Sequence, residues 1–353
     1  MVKIPDPPGF ASRPDALLQG STPPTERMHP TMPMPDPATG ELKVDPEISL
    51  KAKGFDLAVS LFYSTSAPLA TEWGYGRSAS LRGHLERDGD VATITRGDFG
   101  QQYYRVLGGS GAFASSKNTG NTTTLAYASG PDEYTEGFLS GMRIVYKKHG
   151  GTRYEIDRVE DPSGNAQTYT YGTGGEAGLL KSVEVPGGNR LTLLYTVTSG
   201  PATLVEAIQD WGGRRWTMQY GTGRVLSQFT TPLGCVTNYG YTTAGASTTL
   251  LHTIEDPRGY RTTYAYDAGR RVVSMAAGTA VWSYDYNPGQ TVEIWPTGAR
   301  ATYAYDDNPG NNVSTVRADG VLVTYAYDQN RMKVRETTPA GTMMSVAYDT
   351  RTG

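Results

Sequence analysis

The 353-residue chain carries 43 Gly, 22 Pro, 24 Tyr and 44 Thr against a single cysteine and 19% charged residues. Tyr and Thr favour strands while Gly and Pro break helices, which excludes a helical bundle. A net charge of −3 excludes a basic field for nucleic acid, one cysteine excludes internal disulfides and thiolate metal clusters, and no apolar run reaches the roughly 18 residues of a membrane-spanning helix.

Half of the prolines, 11 of 22, fall within residues 1–46. Proline lacks a donor and restricts its neighbour, so this stretch reads as an extended, polyproline-like leader or linker without strands or helices of its own. Its first residues lack the apolar core of a signal peptide, so an export address, if used, lies elsewhere.

From Ile48 the pattern alternates. Ile48 to Lys53 and Phe55 to Tyr63 place apolar side chains at every second position, the period of a strand with one buried face. Strands are expected at Val91–Thr95, Gln102–Leu107, Thr122–Tyr127 and Met142–Lys147, separated by Gly, Asp and Asn clusters. Residues 47–150 therefore read as an antiparallel meander.

Residues 151–353 repeat themselves. The clearest copies are Tyr264-Ala-Tyr-Asp267, Tyr284-Asp-Tyr-Asn287, Tyr303-Ala-Tyr-Asp306, Tyr325-Ala-Tyr-Asp328 and Val346-Ala-Tyr-Asp349, with looser ones ending at Tyr171, Tyr195, Tyr220 and Tyr241. The second tyrosines recur every 19 to 25 residues by subtraction of their positions. A period near twenty in a strand-rich sequence is the mark of stacked hairpins, which are marginal singly and stable in series.

One unit can be built from its residues. Asp161-Pro-Ser-Gly164, Asp256-Pro-Arg-Gly259 and Pro296-Thr-Gly298 supply the fixed φ of proline and the positive φ of glycine that a tight turn needs. In the strand that follows Gly259, Tyr264 and Tyr266 share one face. Asp267 then bonds its own backbone and opens a second turn through Gly269 and Arg270. Successive units are expected to stack their tyrosines into a ladder, with Gly259 and Gly269 as the left-handed positions.

These residues resemble the YD-repeat, or Rhs (rearrangement hotspot), family of large surface and toxin-shell proteins. The match is carried by Tyr264-Ala-Tyr-Asp-Ala-Gly-Arg270, Asp161-Pro-Ser-Gly-Asn165 and Asp210-Trp-Gly-Gly-Arg214, and the stretch through Asp56-Leu57, Tyr63-Ser64 and Gly74-Tyr75-Gly76 resembles the family's opening segment. Leu61-Phe62 stands where the family often has Arg, and Trp73 precedes the glycine pair instead of following it. The resemblance implies an all-β, curved and spiral solenoid of antiparallel hairpins, part of a secreted or cell-surface bacterial shell or fibre. It also implies a toxin as possible cargo. No self-cleaving segment or effector follows the repeats, so the expected partners are the remainder of a longer chain or neighbouring copies pairing at strand edges.

Catalytic chemistry is not expected, and neither is a cofactor. His29, His84, His149 and His252 are far apart and read as surface or turn residues, and Cys235 reads as a buried inert thiol in a strand entry. The scaffold residues are Tyr264, Tyr266, Asp267, Gly269, Arg270, Tyr303, Tyr305, Asp306, Tyr325, Tyr327, Asp328, Tyr348 and Asp349. One metal candidate remains, oxygen ligands at alternate positions in Asp306, Asn308, Gly310 and Asn312, which lack the usual glutamate further on. The alternative function is a carbohydrate-binding adhesin, whose glycans would stack on exposed tyrosine and tryptophan faces.

Overall fold

In a computed structural model the described residues are 33–36, 40–44, 47–50, 56–67, 69–106, 112–115, 123–196, 203–244, 248–305, 313–318, 321–327 and 333–345. Among them every regular element is a β-strand apart from two short 3₁₀ turns, and the strands pair antiparallel throughout. Residues 306–312, Asp328 and the expected final strand with Tyr348 and Asp349 lie outside the described residues.

The main sheet follows the chain. Eight strands, Gly83–Asp88, Val91–Arg96, Gln101–Val106, Ala112–Ser115, Thr124–Ala128, Glu133–Gly137, Arg143–Lys148 and Tyr154–Glu160, pair in order. The last returns to the first through Tyr154↔Leu85 and Glu155↔His84. The far half of Tyr154–Glu160 instead pairs Ala166–Tyr171, and from there an open ribbon of hairpins continues to Met343–Ser345. The meander and the repeats are thus one sheet, continuous across residue 150.

The expected turns form where proline and glycine placed them. Gly164, Gly259, Gly298 and Gly341 all take positive φ. The second turn differs from its expectation: Gly269 is not left-handed, and Arg270 is, at φ 65°. The turn repeats the one at Asp256, where the aspartate Oδ1 accepts the N–H four residues on and the third residue after the aspartate is left-handed: Asp267 Oδ1 accepts the Arg271 N–H at 2.9 Å, its Oδ2 the Arg271 Nε at 2.8 Å, and the third residue is Arg270. Gly259→Val should therefore cost about 1–2 kcal/mol by urea denaturation, whereas Arg270→Gly should be neutral or stabilise by up to about 1 kcal/mol. A destabilising Arg270→Gly would contradict the turn geometry.

The proline-rich leader does not remain outside the fold as far as residue 46. Pro35 and Leu42 form a bridge, and Lys43–Val44 is a strand paired with Ser64 and Tyr63. Leu42 is buried in the core, and the carbonyls of Pro33 and Gly40 on either side of the bridge accept from the Tyr264 hydroxyl and the Val272 N–H of the repeats. Leu57–Ser64 is the centre of this small sheet, with Glu47–Leu50 on one edge and Arg77–Ala79 on the other. A single core cluster joins Leu42, Leu57, Tyr63 and Trp73 to Ile156, Leu251 and Tyr264 of the repeats, and a smaller one holds Ala301, Tyr303 and Val316.

Candidate functional site

The recurring polar side chains converge on the seam between the repeats and the amino-terminal segment. The first tyrosine of a copy points into the core: Tyr169, Tyr239, Tyr264, Tyr284 and Tyr303 are buried. Their cross-strand neighbours are mainly aliphatic, as in Tyr264↔Met275 and Tyr303↔Val316. A ring-on-ring ladder between successive copies does not form among the described residues. A plain strand separates each tyrosine strand from the next, so their backbones lie about 10 Å apart, twice the strand spacing.

The second tyrosine does something else. A register shift falls immediately before Tyr171, Tyr195, Tyr220, Tyr241, Tyr266, Tyr305 and Tyr327. Such a bulge leaves a ladder position unpaired. The hydroxyls of Tyr171, Tyr195, Tyr220, Tyr241 and Tyr266 donate to the carbonyls of Ile156, Leu180, Val205, Leu226 and Leu251, each 15 residues upstream, and Tyr286 donates to Val272. Each acceptor is the residue opposite the preceding bulged tyrosine: Leu180 faces Tyr171, Val205 faces Tyr195, Leu251 faces Tyr241 and Val272 faces Tyr266. From Tyr171 through Tyr286 each unit is thereby fastened to the one before it. Tyr146 belongs to the same series, since it faces Ile156 across a shift at Val145.

The backbone donors of three of these acceptor residues are taken by the amino-terminal segment. The N–H of Val205 donates to the Glu72 carbonyl at 2.7 Å, that of Leu251 to the Tyr63 hydroxyl at 2.9 Å and that of Val272 to the Gly40 carbonyl at 2.9 Å. The Tyr264 hydroxyl donates to the Pro33 carbonyl at 2.9 Å. The described residues between 33 and 77 act as a strap along the repeats. Tyr266→Phe leaves the Leu251 carbonyl without its phenol and should cost about 1–3 kcal/mol by chemical denaturation, with the slope of the transition unchanged.

The scaffold residues fall into two groups. Tyr264 and Tyr266 line the seam, Tyr303 lies in the smaller core cluster, where its hydroxyl donates to Glu293 at 3.0 Å, and Tyr305, Tyr325 and Tyr327 are half-buried further along. Asp267, Gly269 and Arg270 form a turn away from the seam. Arg271 outweighs the effect of burial on Asp267 and holds its carboxyl below the usual range. The candidate oxygen ligands Asp306, Asn308, Gly310 and Asn312 lie outside the described residues, and no group of three His, Cys, Asp or Glu is placed to hold a metal among the described ones. Cys235 is exposed, because it ends the turn at Gly234 instead of entering the strand that starts at Val236. His84 is buried, contrary to its reading as a surface residue.

Two ionisable clusters were not legible in the sequence. Glu136 is fully buried within the first eight strands, where it pairs with Arg96 and accepts from the Tyr104 hydroxyl at 2.9 Å and the Tyr146 hydroxyl at 3.1 Å. Glu155 and His84 face each other where the eighth strand meets the first. Burial raises the Glu155 carboxyl to about 7 against the attraction of Arg82, and burial with Arg82 and Arg153 nearby lowers His84 to about 4.

These shifts oppose one another. Between roughly pH 4.5 and 7 folded Glu155 binds protons that the unfolded chain has lost, so its share of stability falls as pH rises. Between about 4 and 6.5 the unfolded chain protonates His84 and the folded one does not, so that share rises with pH. Glu155→Gln should unmask the histidine: the variant should gain stability steadily from about pH 4 to 6.5 and gain on the order of 2 kcal/mol over the parent at pH 8. Parallel pH profiles for the two proteins would contradict this.

No family model and no curated protein matches the sequence. Solved structures with some likeness include the crystal structure of TcdB2-TccC3-TEV, 13% identical with a TM-score of 0.40, matching 84% of this chain and 19% of that one. TcdB2-TccC3 without its hypervariable C-terminal region is 10% identical with a TM-score of 0.35, over 92% of this chain and 25% of that one. The N-terminal domain of the effector SpvB from Salmonella typhimurium strain LT2 is 12% identical with a TM-score of 0.25, over 86% and 99%. The chain thus spans a quarter or less of the first two. No helix among the described residues is long and apolar enough to cross a membrane.

Proposed function

We propose that the chain is a non-enzymatic structural scaffold, a YD-repeat segment of a bacterial secreted or cell-surface shell or fibre. The observation that carries this reading is the fastening of one unit to the next by a tyrosine hydroxyl at the same structural position, from Tyr171 through Tyr286. The recurring polar groups are spent on construction. Among the described residues no strand pairs the outer edge of Met343–Ser345, whose Met343 and Met344 are exposed, and this suits pairing with more of the same ribbon, from a longer chain or a neighbouring copy.

The intact protein is expected to scatter as one rigid particle and to give no turnover on a panel of glycoside, ester and peptide substrates. Saturable turnover abolished by substituting a buried carboxylate such as Glu136 would overturn the reading. A glycan array separates the adhesin alternative: Tyr239, Tyr264, Tyr284 and Tyr303 point inward, so exposed rings such as Tyr103 and Tyr260 would have to carry it.

A further inference from the structure

The seam closes around an arginine that nothing on it neutralises. Arg77, in Arg77–Ala79, is 1% exposed. Its Nε and Nη2 both donate to the Tyr241 hydroxyl at 3.3 Å, and its guanidinium lies 4.5 Å from the centre of the Tyr239 ring and 5.3 Å from that of Tyr63. The third nitrogen, Nη1, is buried without a hydrogen-bond partner, and no carboxylate pairs with Arg77 among the described residues.

A second guanidinium completes the setting. The Nη2 of Arg224 donates to the Thr71 carbonyl at 2.8 Å, and its Nε is also buried without a partner. Thr71 ties the two together, since its hydroxyl donates to the carbonyl of Arg77 at 2.5 Å. Both charges act on the phenol of Tyr220. The Tyr63 hydroxyl accepts from Leu251 and keeps its own proton to donate.

A buried cation is costly unless it is paired, and aromatic faces replace only part of the lost hydration. The open N–H donor of Arg77, positively charged, flanked by phenol rings and shut off from solvent, asks for a compact acceptor of single negative charge. A tetrahedral oxyanion would need more donors than are open here. We propose that Arg77, with the charge of Arg224 nearby, holds a small monovalent anion of the halide type, enclosed as the amino-terminal strap folds onto the repeats. The anion then links strap and repeats as a third party to the Arg77–Tyr241 contact.

The test is thermal unfolding of the intact protein over a hundredfold range of chloride, balanced with gluconate at constant ionic strength. The midpoint should rise by about 2 °C or more per tenfold chloride once the site is filling, and Arg77→Met should abolish that dependence. A midpoint indifferent to chloride, or a dependence that survives in Arg77→Met, overturns the proposal. Should Arg77→Met fail to fold, bromide soaked into crystals of the unsubstituted protein decides the matter. An anomalous peak beside Arg77 Nη1 supports the site, and water or nothing there overturns it.

Discussion

Glu136→Ala is expected to destabilise the protein by about 3–5 kcal/mol, more than any other single substitution discussed above. Glu136 accepts from three groups at once, and removing it strands the Arg96 guanidinium and the Tyr146 hydroxyl inside the first eight strands, while the Tyr104 hydroxyl keeps its contact with Thr123. Burial alone would lower the Arg96 pKa, yet Glu136, with Tyr146 and Tyr104, reverses the effect and raises it. Tyr146, buried beside the same carboxylate, is pushed well up by desolvation first and by Glu136 second. The cost should come from the orphaned charge more than from lost attraction. The double replacement Arg96→Met with Glu136→Leu should therefore recover most of the loss. Denaturant midpoints for the two singles and the double separate the terms, and a double variant as weak as the sum of the singles would refute the argument.

The second large effect falls on the strap. Tyr63 is 1% exposed, its hydroxyl receives the Leu251 N–H, its ring meets Tyr241 edge-on at 6.4 Å between centroids, and Arg77 lies over it. Tyr63→Ala leaves a cavity of aromatic size and should cost about 3–5 kcal/mol. Tyr63→Phe keeps the ring and loses only the acceptor, which should cost about 1–3 kcal/mol. If the strap were an ornament on a self-sufficient ribbon, both variants would keep the parent's denaturation midpoint. Since the strap shares one core with the repeats, both should instead shift a single cooperative transition.

How much of this the sequence disclosed depended on the range of the interaction. Local chemistry was readable: the Pro and Gly turns at Gly164, Gly259 and Gly298, and the alternation that makes Leu57–Ser64 a strand with one buried face. Features that depend on what lies opposite were not. Whether Tyr266 stacks on a ring or fastens to a carbonyl is decided by a register shift at Ala265, and the acceptor Leu251 bears no polar mark of its own. Glu136 looks like an ordinary polar residue in Glu133–Gly137, and only the return of Tyr154–Glu160 to Gly83–Asp88 places its face inside. Proline richness misled in the same way. It pointed to a leader without strands of its own, but the Pro33 carbonyl accepts from the Tyr264 hydroxyl and Lys43–Val44 pairs as a strand, so the segment enters the fold there.

The account turns on one claim, that the amino-terminal segment is a working part of the repeat array and caps the backbone donors at the bulges. Native-state hydrogen exchange at the amides of Val205, Leu251 and Val272 tests it most directly. The account predicts that all three exchange only through global unfolding, and that Tyr63→Phe speeds Leu251 while leaving Val205 and Val272 slow. Exchange of the three at the rate of exposed turn amides in the unsubstituted protein would contradict it.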